Sequence, residues 1–231
     1  MHFQILVEDI SGKEMLDVLV PKIIDKGSGN TFDVKAYKGV GRIPKGLKSA
    51  SDAGKRILLD QLPRLLRGYG KTYNNYSAAV IVVCDLDDRC LKAFRRELLG
   101  LLDSCVPKPD TRFCVAIEEG EAWLLGDIPA IKKAYPSAKD NVLRSYKNDS
   151  VCGTWEYLAD ALMRGGAQSL KIKGYQIIGR EKIIWARRIT PYMNVDCNKS
   201  PSFAYFRETF LKLLNRHSES KKAKLERDII K

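Results

Sequence analysis

The chain has 231 residues, a length for one large domain or one domain with an appendage, and its 45% apolar content is enough for a packed core. With 40 Lys and Arg against 28 Asp and Glu, the formal net charge of +12 favours a polyanionic partner such as nucleic acid. No apolar run approaches the roughly 20 residues that span a membrane. The six cysteines form no CxxC and the two histidines, His2 and His217, stand at the extremes, which argues against a zinc site and for a cytoplasmic chain without disulfides. The opening MHFQILVEDISG reads as a strand ending in an acid rather than as a signal peptide.

In chain order, residues 3–8 (FQILVE) read as a strand that ends at Glu8. Ser11 and Gly12 open a helix with Met15, Leu16, Leu19 and Ile23 on one face, and the turn chemistry of residues 27–30 closes it. Residues 31–37 alternate as a more polar strand, nearer an edge. Residues 38–49 (KGVGRIPKGLKS) form a glycine-rich basic connection, either a plain surface loop or a loop that touches phosphates through Lys38, Arg42, Lys45 and Lys48. It matches no Walker A pattern, because no GKS or GKT follows at the required spacing. A helix is expected over 51–67, kinked or shortened at Pro63.

The most apolar run, residues 78–84 (AAVIVVC), reads as a buried central strand and runs straight into Asp85 and Asp87. A helix is expected over 88–104, with Asp88 as its N-cap, then a strand over 112–117 that ends in Glu118, Glu119 and Glu121. EEGEAWLLGD reads as a short helix, and Asp127 as the N-cap of another with Pro129 near its start. The alternation implies right-handed crossovers and a mostly parallel sheet with helices on both faces. Past about residue 136 the pattern becomes helical, over 154–164, over 180–193 as far as Pro191, and from Ser200-Pro201-Ser202 onward, where Phe203, Phe206 and Phe210 form a core stripe. The expected organisation is an α/β domain over 1–135 and a mainly helical extension over 136–231 packed on it.

Charge is unevenly spread. Residues 31–73 carry ten bases against three acids, residues 85–127 ten acids against six bases, and residues 180–231 thirteen bases against six acids. A metal site flanked by phosphate-binding surface has this distribution. Oxygen-rich clusters suit Mg²⁺ or Mn²⁺, and an Asp-x-Asp pair just past a strand lets both side chains turn toward one crevice. If the strands of Glu8 and Asp85 are neighbours, their ends lie about 5 Å apart, within reach of one shared ion. Glu8 then holds metal or acts as a general acid/base.

A glutamate after the first strand followed by Asp-x-Asp after the third resembles the Toprim domain of topoisomerases, primases and OLD-type nucleases. Asp9 stands where that family has a glycine. AIEEGEAWLLGD, the downstream KIIWARRI and the closing SPSFAYF extend the resemblance to the Toprim-like domain-of-unknown-function family 4276 (DUF4276). The resemblance implies a Rossmann-like sheet with an acidic Mg²⁺ centre held by Glu8, Asp85 and Asp87. Members are often encoded beside an ATPase in bacterial defence-type operons, which implies such a partner and a defence role. On the family's acidic-aromatic segment fall Glu118, Glu119, Glu121, Trp123 and Asp127. Glu121 is there either a second-metal ligand or a first-turn helix acid, and Trp123 a packing residue. Lys182, Ser200 and Ser202 match the C-terminal motif, with Lys182 available to phosphoryl charge and the two serines read as helix caps. Lys182, Arg187 and Arg188 join the basic loop as candidate DNA or RNA contacts. The expected function is a Mg²⁺-dependent nuclease or phosphoryl-transfer protein. The alternatives are a non-catalytic module binding nucleic acid or an ATPase, and a receiver-like phospho-acceptor at Asp85.

Overall fold

The structure, a computed structural model, describes residues 1–24, 29–44 and 56–229, with side chains as far as residue 222. Four strands, β1 (His2–Val7), β2 (Thr31–Ala36), β3 (Ala78–Asp85) and β4 (Thr111–Ala116), pair throughout in parallel in the order β2-β1-β3-β4. The fold is therefore α/β and Rossmann-like with a helical C-terminal part. The burial of β3 follows from its composition: its first seven residues are all buried, as expected of a parallel strand covered on both faces. In β2, only Val34 is fully buried, which fits its alternating sequence and edge position.

The side chains of successive strand residues point to opposite faces. Phe3, Ile5, Val7, Ile81 and Val83 share one core with α1 (Ile10–Ile24) and the C-terminal helices. Leu6, Val80, Val82, Phe113 and Val115 share the other with α2 (Leu58–Thr72) and α3 (Leu91–Asp103). The first core also takes in Trp123, Trp185, Phe203, Phe206 and Phe210, all fully buried, so it runs without a break from the first strand into the C-terminal part. Each such side chain contributes about 1.5–3 kcal/mol. Trp185 and the Phe stripe come from α9 (Tyr175–Ile189) and α10 (Pro201–Ile229).

Several boundaries differ from the sequence expectation. α2 begins at Leu58 and runs past Pro63, which is buried inside it, so packing offsets the backbone bond proline cannot make. The expected residues 51–55 of that helix, part of the 27–30 turn, and Lys45 and Lys48 lie outside the described residues. Asp88 is not an N-cap: α3 starts three residues later, behind Cys90, without a side-chain capping bond. α4 (Glu121–Leu125) and α5 (Ile128–Ala134) lie where expected, and Asp127 caps α5 by accepting the Ala130 N–H at 3.0 Å. α6 (Asp140–Ser145) and α8 (Gly166–Lys173) were not anticipated. They are too short for a helical period to show. α7 (Thr154–Leu162) was anticipated, while α9 starts five residues early and gives way to a 3₁₀ turn at Thr190–Tyr192. The six cysteines are free, and among the described residues no helix is long and apolar enough to cross a membrane.

Candidate functional site

From β1 the chain crosses to β2 on one side, while β3 lies on the other. The crevice at the carboxyl ends of β1 and β3 is thus the topological switch point, where open parallel sheets bind ligands. Glu8 follows β1 and Asp85 ends β3, so the switch point places these two acids side by side. The Asp85 N–H donates to Glu8 Oε2 at 3.0 Å. From beyond β4 come Glu119 and Glu121. A cavity of about 20 Å³, room for one water-sized occupant, is lined by Glu8, Asp9, Asp85 and Glu121 together with Met15 and Trp123.

Lys182 completes the group from α9. Its Nζ lies 2.8 Å from Glu119 Oε1 and 3.1 Å from Glu121 Oε2. Burial raises the Glu8 carboxyl to about 7, against the Asp85 N–H that favours its charged form, with Asp9 and Asp87 adding repulsion. Burial likewise raises Glu119 to about 7 although Lys182 pulls it down. Burial, then Glu8 and Glu121, push Asp85 up; burial pushes Glu121 up against Lys182. Burial pulls the Lys182 ammonium down, but Glu121 and Glu119 more than offset it and its pKa ends raised. A single lysine is well satisfied among these acids, while the acids outnumber it and repel one another.

Asp9 lines the cavity and also serves α1. Its carboxylate accepts the Gly12 N–H and the Ser11 hydroxyl, both at 2.7 Å, and so caps the helix. Gly12 is required where α1 meets β1, since a Cβ there lies 2.6 Å from Val7 Cγ2. Asp87 stands off. It is outside the cavity lining, its side chain is 45% exposed, and its partner is Arg89 at 3.9 Å. The pair of aspartates therefore does not turn into one cavity. Asp87 and Glu118 both have positive φ, 51° and 64°, and the Asp87 N–H donates to the Glu118 carbonyl at 3.0 Å. Strained non-glycine residues facing each other across the ends of β3 and β4 are typical of a functional lip. The Glu118 carboxylate accepts the Thr154 N–H at 2.7 Å and the Gly153 N–H, at the start of α7.

Of the expected nucleic-acid contacts, Lys38 is exposed at the rim, just past β2, where the Gly39 N–H donates to the Glu8 carbonyl at 2.8 Å. Arg42 is exposed further along the same segment, and Arg89 donates to the Gly41 carbonyl at 3.2 Å, tying this segment to Asp87. Lys182 is buried among acids instead of facing solvent. Arg187 pairs with Glu14 at 2.6 Å and Arg188 lies over the Tyr135 ring at 5.6 Å, so neither is held at the crevice.

Trp123 is a packing residue as expected, with its indole N–H donating to Ser202 Oγ at 2.9 Å. Ser202 is therefore an anchor for Trp123 and not a cap, while Ser200 caps α10 by accepting the Phe203 N–H at 3.2 Å. The Lys182–Glu119 pair, 63 residues apart in sequence, and the role of Arg89 were missed. The doubled acid at 118–119 was the one available signal for Glu119.

Hard carboxylate oxygens in excess over cations suit Mg²⁺ or Mn²⁺ in chemistry. In arrangement they do not: among the described residues no three Asp, Glu, His or Cys side chains come together as a ligand set. In comparisons with known proteins the chain matches no family model, no curated protein and no solved structure. Fold and site together define the class: an all-parallel α/β protein with an acidic, lysine-bridged crevice at its switch point.

Proposed function

We propose that the crevice is a Mg²⁺- or Mn²⁺-dependent phosphoryl-transfer site that hydrolyses phosphodiesters in DNA or RNA, in keeping with the Toprim resemblance, and that the chain acts as an effector with an ATPase partner in bacterial defence. The observation that carries this reading is the apposition of Glu8 and Asp85 at the switch point, bridged by a 3.0 Å bond. Glu8 and Asp85 are the proposed ion ligands, with Glu121 joining them from α4 and Asp87 at the lip. A bound ion supplies charge neutralisation at the phosphate and a lowered pKa for water.

The chain's own residues account for the rest. Without an ion, burial raises the Glu8 carboxyl to about 7, so a cation entering there displaces a proton at neutral pH. Glu8 Oε2 is fixed by the Asp85 amide, and Oε1 has no hydrogen-bond partner among the described residues. Lys38 and Arg42, exposed in the segment after β2, supply cations for the phosphate backbone.

Asp85→Asn should reduce Mn²⁺-dependent cleavage of labelled single-stranded DNA and RNA to the level of the EDTA control while leaving the circular dichroism spectrum unchanged. Cleavage at the wild-type rate in that variant overturns the assignment. A second reading, a module that binds nucleic acid or an ATPase without chemistry, is favoured by the Lys182 pairs, which already occupy Glu119 and Glu121. It expects binding that survives Asp85→Asn and no turnover with any metal.

A further inference from the structure

β4 is an outer strand of the sheet, paired with β3 on one side only. Its bonds to β3 start where the Val80 N–H donates to the Asp110 carbonyl at 2.8 Å and end where the Leu86 N–H donates to the Ala116 carbonyl at 3.0 Å. The even-numbered residues of β4 thus turn their backbone groups to β3. The odd-numbered ones turn theirs to the open edge, because these groups alternate along a strand. There the Thr111 carbonyl accepts from the Arg112 guanidinium at 2.8 Å. The N–H and C=O of Phe113 and Val115 have no hydrogen-bond partner among the described residues. An edge with free donors and acceptors is a template for another strand.

Two cavities, of about 750 and 390 Å³, lie along this edge between α3 and α10. They share Arg95, Phe113 and Tyr205 as lining, and Val115 lines the smaller. Arg95 and Tyr205 are both exposed, and the guanidinium donates to the tyrosine hydroxyl at 3.3 Å. A contact between exposed side chains of this kind is weak, so it shields the edge without sealing it. Charge selects the occupant. The larger cavity carries Arg95, Lys108, Arg112 and Arg216 against one acid, Asp110. A second copy of the chain, itself at +12, would set these bases against their own kind.

We propose that the open edge of β4 docks an acidic, extended segment of another protein, which joins the sheet as its next strand. The segment's backbone pairs with Phe113 and Val115, and its carboxylates meet Arg95 and Arg216, which parts Arg95 from Tyr205. This site is separate from the crevice and stands whether or not the crevice acts on phosphodiesters.

The test uses three labelled, capped peptides in fluorescence polarisation with the full chain. One is Glu-Val-Glu-Val-Glu-Val. The second is the same peptide N-methylated at every amide, which keeps its charge and loses its strand donors. The third has Lys in place of each Glu. The first should bind saturably and slow hydrogen exchange at the Phe113 and Val115 amides. The other two should bind at least about tenfold more weakly, as should the first peptide to Arg95→Glu. No binding of the first peptide, or equal binding of its N-methylated form, overturns the proposal. Dimerisation of the chain that itself slows exchange at Phe113 and Val115 overturns it in favour of a second copy.

Discussion

Glu8 shows how a single residue ties folding to chemistry. Its folded pKa of about 7 lies above the ordinary 4.5, so between these values the folded state binds the proton that the unfolded state has lost. Stability from this group is therefore full below 4.5 and is lost as pH rises through 7. Glu119, also near 7, acts in the same direction. In chelator-treated protein the melting temperature should fall between about pH 5 and about pH 7.5, and Glu8→Gln should flatten that fall. An unchanged slope in the variant would show that Glu8 is not the group burdened by burial. That Glu8 and Asp85 mattered was readable from their positions behind apolar runs. The separation of Asp87 from Asp85 was not, because it depends on a positive φ at Asp87, which no apolar pattern signals.

At the scale of elements, the parallel sheet and the long helices carry strong local signals. The β3 run, the α1 and α3 stripes and the Phe203–Phe206–Phe210 stripe each reveal the buried face. α6 and α8 escaped because a helix of six or eight residues spans only about two turns, and their stability comes from packing rather than pattern. Caps divide in the same way. Asp127 was legible because Pro129 follows it, whereas Asp88 was misread because an acid after a strand looks the same whether or not the helix starts there. Asp127 does more than cap α5: its other oxygen accepts the Asn194 N–H at 2.8 Å and ties α5 to the segment after α9. Asp127→Ala should therefore cost about 2 kcal/mol, from the lost cap and an amide left without its acceptor. Urea unfolding reads this directly, and a loss below about 0.5 kcal/mol would mean that water replaces both bonds.

Across the whole molecule, a chain with net charge +12 brings Glu8, Asp85, Glu119 and Glu121 together at one crevice, with Lys38 and Arg42 exposed in the segment after β2. The sheet explains the gathering, since β1, β3 and β4 all run in the same direction and deliver their following residues to one edge. What the sequence does not convey is the closing of that crevice from the far end of the chain by Lys182, a contact set by how α9 packs on α1. The same packing joins the two expected parts of the chain through one core. The central claim, that Glu8 and Asp85 form a divalent-cation site, is tested most directly by Mn²⁺ titration of the wild type against Asp85→Asn, followed by electron paramagnetic resonance of the free ion. The account predicts saturable binding in the wild type and at least about tenfold weaker binding in the variant. Equal binding in the two proteins, or none in the wild type, would contradict it.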